Sequence, residues 1–171
     1  MNSLYLPQRT FFDFSFRCPQ RTEPLKIDGK LRDWDPKTLV PDLMSIDGQQ
    51  PFARVYMAWD ESGLYFACEV KNKTTYKINP RHPSSGDCLE LFIDTRDVKE
   101  RRANRFCHRF YFLPGGSGRD GKRPIGRQTS INDAREQAPP CPEDSITLGL
   151  HRLKRRYSMA IKLPATGLNG F

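Results

Sequence analysis

FARVYMAWDESGLYFACEVK, residues 52–71, is the stretch whose reading decides the fold. Two runs dense in aromatic and β-branched residues, 52–59 and 64–71, flank Asp60-Glu61-Ser62-Gly63. A short polar stretch ending in glycine between two such runs is the signature of a β-hairpin. A strand with one wet face alternates apolar and polar residues. Both of these runs are apolar at nearly every position, so the pair is expected at the centre of a sheet, covered on both sides.

The rest of the chain repeats the pattern. CLELFID (88–94) and RFCHRFYFL (105–113) form a second pair across a polar loop, and SITLGLHR (145–152) and RRYSMAIKL (155–163) form a third. In the last run Tyr157, Met159, Ile161 and Leu163 alternate with Ser158, Ala160 and Lys162, which predicts one face against the core and one against water. A short strand is expected over Leu25–Ile27, closed by an Asp28-Gly29 turn. Residues 114–144 are rich in Gly and Pro and hold no sustained period, which predicts an exposed, mobile excursion without regular pairing. The one place for a short helix is the Arg/Lys-rich 99–105. Successive hairpins without helical crossovers predict an all-β fold, an antiparallel β-sandwich of jelly-roll or immunoglobulin-like type.

Bulk properties bound the function. A length of 171 residues suits one domain with a core of its own, and no apolar run approaches the roughly 20 residues a membrane helix needs. The first 21 residues, broken by Pro7, Arg9, Asp13 and Arg17, read as an N-terminal extension without the apolar core of a secretory leader, so a cytoplasmic location is expected. Five cysteines with no close pairs and no zinc-type spacing read as reduced structural thiols. The net charge of +8 is concentrated at 99–109, 119–127 and 151–158. That suits a polyanion, but no recognition helix, zinc finger or RNP-like pattern accompanies it, so nucleic acid is disfavoured as a partner. No G-x-S-x-G elbow, Walker loop, dinucleotide fingerprint or HExxH is present, which argues against an enzyme.

Four phrases in order, LKIDGKLRDWD (25–35), ARVYMAWDESGLYFACEVKN (53–72), GDCLELFID (86–94) and YSMAIKLPATGL (157–168), resemble the family 9 carbohydrate-binding modules and the wider DOMON-like β-sandwich superfamily. The resemblance spans roughly residues 22–168. It implies a non-catalytic carbohydrate-binding sandwich over residues 22–171 whose last strands lie beyond the end of the chain. It also implies a family-type structural calcium, although no contiguous calcium loop is readable, and a glycan as partner, with no membrane. Trp34 and Trp59 are both expected in the core rather than on a sugar. The family's stacking Trp before the D-x-x-E phrase has no counterpart here, where the stretch reads RHPSSG with Ser84 near that position.

The carboxylates of GDCLELFIDTRD (86–97) then sort themselves. Along the strand Leu89, Leu91 and Ile93 point one way, and Cys88, Glu90, Phe92 and Asp94 the other. A hairpin register that sets Phe92 opposite Cys107 sets Glu90 opposite Arg109. By the resemblance, this Glu and the Arg of the next strand contact the sugar, so Glu90 and Arg109 are the candidate binding residues, with a structural ion pair as the competing reading. Asp87, Asp94 and Asp97 are expected to cap turns. Because the partner of Glu90 is a guanidinium and not a second carboxylate, general acid–base chemistry is disfavoured. Two alternatives remain. One is a polyanion-binding basic sandwich. The other is a haem-binding DOMON-type domain with axial ligands drawn from Met57, His82, His108 and Met159.

Overall fold

The computed structural model describes residues 14–171; residues 1–13, most of the expected N-terminal extension, lie outside them. The 52–71 stretch folds as the hairpin its composition implies, with β1 (Ala53–Asp60) antiparallel to β2 (Gly63–Lys71) and Asp60 opposite Gly63. Gly63 is required here. Its φ is +147°, and a Cβ would collide with the backbone oxygen of Leu163 on the neighbouring strand. Asp60 closes the turn by accepting from the Ser62 backbone N–H (2.8 Å), the Ser62 hydroxyl (2.6 Å) and the Tyr65 hydroxyl (2.7 Å). Burial alone would raise the pKa of Asp60, but these hydrogen bonds outweigh it and hold the carboxyl below its usual range.

Two sheets face each other. The first has the order β1-β2-β7-β6, adding β6 (Thr147–Leu153) and β7 (Arg156–Pro164). The second has the order β3-β4-β5, made of β3 (Leu89–Asp94), β4 (Cys107–Ser117) and β5 (Arg123–Thr129). Every pairing between these seven strands is antiparallel. The fold is an all-β sandwich, as expected, and the three expected strand pairs form. Between the sheets lie Leu64, Phe66, Tyr157, Met159, Ile161 and Leu163 from the first and Phe110 and Phe112 from the second. Leu89, Leu91 and Ile93 also pack into this core. Among the described residues no helix is long and apolar enough to cross a membrane.

The coverage of β1 and β2 on both faces has a specific source. Leu25, Ile27, Leu31 and Trp34 lie over Tyr56, Ala58, Tyr65, Ala67 and Ala160 on the outer face of the first sheet. Trp34 is therefore a core residue, and Trp59, packed against the main core, donates its indole N–H to the Cys18 carbonyl at 3.2 Å. This layer corrects the reading of β7. Ser158 and Ala160 do not meet water; both are buried, and the Ser158 hydroxyl donates to the Gly29 carbonyl at 2.6 Å. Residues 25–27 form no strand, so the expected short strand is absent.

Residues 114–144 hold the largest departure. β4 continues through Pro114-Gly115-Gly116 to Ser117, and β5 pairs back along it, with a register shift between Leu113 and Ser117. The glycines mark crowding rather than a loop. Gly116 has φ +104°, and a Cβ there would lie 2.9 Å from Pro80 and 3.0 Å from Ile125. Pro114 is fully buried, and Ile125 is buried on the outer side of the sheet, where it meets Gly116 beside Ile78 and Pro80. Only about the second half of the segment stays irregular, and it is tied down by Gln137, whose amide donates to the Ile131 carbonyl at 2.8 Å. Residues 99–105 form no helix.

Candidate functional site

The three-stranded sheet has an outer face that residues 25–34, which cover the other sheet, leave open. Strand alternation places two cross-strand rows there, Glu90–Tyr111–Arg127 and Phe92–Arg109–Thr129. This corrects the expected register. Phe92 pairs with Arg109 rather than Cys107, and Glu90 pairs with Tyr111 rather than Arg109. The slip is two residues, which keeps every side chain on its predicted face. The turn did not fix the register because the connection from Asp94 to Cys107 is long. The inner pairs Leu89/Phe112, Leu91/Phe110 and Ile93/His108 set it instead.

Glu90 and Arg109 still meet, as diagonal neighbours. One terminal nitrogen of Arg109, Nη2, lies 3.3 Å from each carboxylate oxygen of Glu90, and the two side chains are 23% and 24% exposed. The Ser84 hydroxyl donates a short hydrogen bond to Glu90 Oε1. The Arg109 guanidinium lies 5.3 Å from the centroid of the Phe92 ring, while its Nε is buried without a partner. Phe92 itself is 63% exposed, so its ring is open to a ligand on this face.

These groups lie in and around an open cleft of about 740 Å³. The 80–85 turn walls one side with Arg81, His82 and Ser84; Thr129 and Asn132 wall the other; Glu90, Arg109 and Tyr111 form the floor. Pro83 begins a single 3-10 turn over Pro83–Ser85 that presents Ser84 to Glu90. The turn is pinned from behind by Asp87. One carboxylate oxygen of Asp87 accepts from the Lys77 backbone N–H (2.7 Å), and the other pairs with Lys73 Nζ (2.7 Å). The cleft thus offers one compact carboxylate–guanidinium pair among hydroxyls, an amide and an aromatic ring. That set matches polyhydroxylated ligands. Among the described residues Glu90 is the one carboxylate lining it, so the cleft holds no pair of carboxylates.

The other sequence candidates fall elsewhere. Asp94 spends its oxygens on the backbone N–H groups of Arg96 (3.1 Å) and Val98 (2.9 Å), and Asp97 pairs with Lys99 at 3.1 Å. Among the described residues no three His, Cys, Asp or Glu side chains are grouped to hold a metal ion, so the residues present do not fit a carboxylate-rich calcium site. The haem candidates are divided between the core, against which Met57 also packs, and the outer cleft. His108 and Met159 are buried in the interior, whereas His82 opens on the outer cleft. All five thiols are free. Burial pushes Cys68 up to about 12, and burial together with the Glu90 charge pushes Cys88 up to about 11, so neither is a nucleophile at neutral pH.

Sequence reasoning missed Tyr111, Thr129, Asn132 and the 80–85 wall as parts of the site. Tyr111 and Phe92 carried a usable signal, since both share parity with Glu90 or Arg109. Thr129 did not, because its strand was read as loop.

No family model matches the sequence, and no curated protein matches it. Two solved structures do match over most of the chain. One is a family 9 carbohydrate-binding module from Caldicellulosiruptor kristjanssonii in complex with cellotriose, 15% identical with a TM-score of 0.57, covering 88% of this chain and 67% of that one. The other is a family 9 module from the same organism in complex with glucose, 14% identical with a TM-score of 0.57, covering 89% and 70%. The DOMON-like part of the resemblance, and the haem reading with it, finds no support in these matches. At such low identity the likeness concerns architecture alone: this chain has a fold like that of the family 9 carbohydrate-binding modules.

Proposed function

We propose that the chain is a non-catalytic carbohydrate-binding module whose ligand sits on the outer face of the β3-β4-β5 sheet. The observation that carries the proposal is the contact of Glu90 with Arg109 and Ser84 at the floor of a cleft lined by Tyr111, Thr129 and Asn132. The fold supports it, since the two modules it resembles are in complex with cellotriose and glucose. A sugar has vicinal hydroxyls, each both donor and acceptor. Glu90 accepts from two of them, and the free guanidinium nitrogens of Arg109 donate back. The Tyr111 ring, with Phe92 beside Arg109, supplies an apolar surface for pyranose C–H groups where the expected tryptophan is missing.

The test is a glycan array followed by titration calorimetry on wild type, Glu90→Gln and Arg109→Met. Loss of one charged hydrogen-bonding partner costs about 1.5–3 kcal/mol, which is about 10- to 150-fold in Kd. If instead the pair is only structural, the array is blank for wild type and both variants, and the melting temperature alone responds.

A further inference from the structure

A second cleft, of about 720 Å³, opens where the sheets approach along their β5 and β6 edges. Arg119, Lys122 and Arg123 reach it from the β4–β5 hairpin, and Arg152 reaches it from β6. Its single carboxylate, Asp120, is already paired with Lys122 at 3.4 Å. Among the described residues neither Arg119 nor Arg123 has an acidic partner. Arg152 is the most telling of the four. Its guanidinium donates to the Pro114 carbonyl and lies 5.2 Å from the centroid of the Tyr76 ring, yet its Nε is buried without a partner and, among the described residues, no carboxylate pairs with it. A half-buried guanidinium held only by a carbonyl and a ring is an uncompensated charge, which an anion in the cleft would relieve.

We propose that this cleft binds the acidic groups of an anionic polysaccharide, carboxylate or sulfate, on Arg119, Arg123 and Arg152. Guanidinium forks hold both groups bidentately. The remaining wall, Leu148, Leu150 and Pro124, is aliphatic and suits the C–H face of a pyranose ring. The same wall argues against nucleic acid, because among the described residues no aromatic ring lines the cleft for bases to stack on, and the nearby Tyr76 ring is taken by Arg152. The inference stands apart from the Glu90–Arg109 reading, since the two clefts share no lining residue.

The experiment is titration calorimetry with a heparin oligosaccharide (sulfate), an oligogalacturonate (carboxylate) and a single-stranded oligothymidylate, at low and at moderate salt. Wild type is compared with the double variant Arg119→Ala/Arg123→Ala. At least one acidic oligosaccharide should bind, more weakly as salt rises. The double variant should lose about tenfold or more of that affinity with its melting temperature unchanged, given the strength of charge-assisted hydrogen bonds. Which glycan binds better identifies sulfate or carboxylate as the group held. Failure of both glycans to bind, equal binding by the double variant, or tighter binding of the oligothymidylate than of either glycan would each overturn the proposal. Because the variant leaves the Glu90–Arg109 cleft untouched, any neutral-sugar binding there should persist, and failures of the two sites are separable.

Discussion

His108 lies on the inner face of β4, 1% exposed, opposite Ile93 and stacked on Phe110 with ring centroids 6.0 Å apart. Neither ring nitrogen has a hydrogen-bond partner. Burial holds its pKa below the usual value, and the approach of the Asn169 backbone offsets only part of that without completing a hydrogen bond. In the unfolded chain the imidazole titrates near about 6.5. A folded pKa depressed below that value means the unfolded state takes up the proton first. The stabilisation from keeping His108 neutral is therefore fully present above pH ~6.5 and is lost as pH falls toward the folded pKa. One proton gives a slope of at most about 1.4 kcal/mol per pH unit, so the loss between about pH 6.5 and 5 is at most about 2 kcal/mol. For a chain of this size that corresponds to about 4–8 °C in Tm. Asp28 and Asp60, whose pKa values are lowered, act only below about pH 4 and leave this window clear. Denaturant unfolding from neutral pH to pH ~5 on wild type and His108→Leu, a volume-conserving change in this apolar setting, isolates the term. Wild-type stability should fall more steeply with acid than that of the variant. Parallel curves would refute the reasoning.

Three further outcomes test the fold and the outer face. Phe112→Ala, at a fully buried position, should destabilise by about 3–5 kcal/mol, read by denaturant unfolding. Gly63→Ala should cost more than about 1 kcal/mol, because the new Cβ meets the Leu163 carbonyl at a backbone conformation L residues avoid; a neutral melting temperature would contradict the tight β2–β7 approach. Phe92→Ala, at an exposed ring, should change stability by no more than about 0.5 kcal/mol. It should weaken any glycan bound beside Arg109, and calorimetry showing unaltered binding would remove Phe92 from the site.

Much of the architecture could be read from residues 52–71, 88–94 and 145–163, because short turns and strand alternation are local signals. The Glu90–Arg109 contact was legible for a weaker reason: faces follow parity, and a two-residue slip preserves parity. The register itself was not legible, since the 95–106 connection imposes none and the inner rows Leu91/Phe110 and Ile93/His108 decide it. β5 was hidden because Gly115 and Gly116 have two meanings, turn or crowding, and only the nearby Ile78 and Pro80 reveal which applies. The wet face expected for β7 failed for a similar reason: the segment covering Ser158 and Ala160 comes from residues 25–34, far away in sequence.

The central pairing of the larger sheet joins β2 to β7, with Leu64 opposite Leu163 and Lys71 opposite Arg156. Its two halves are separated by residues 72–155, about half of the chain, so loop-closure entropy must be met before that ladder yields any energy. During synthesis the β1–β2 hairpin emerges early with its β2 edge unpaired, and stays so until residues 156–164 have left the ribosome. The interval in which this apolar edge is open to other chains is thus set by translation of the intervening residues 72–155. Expression yield should accordingly respond to chaperone supply and temperature more than the native stability would suggest.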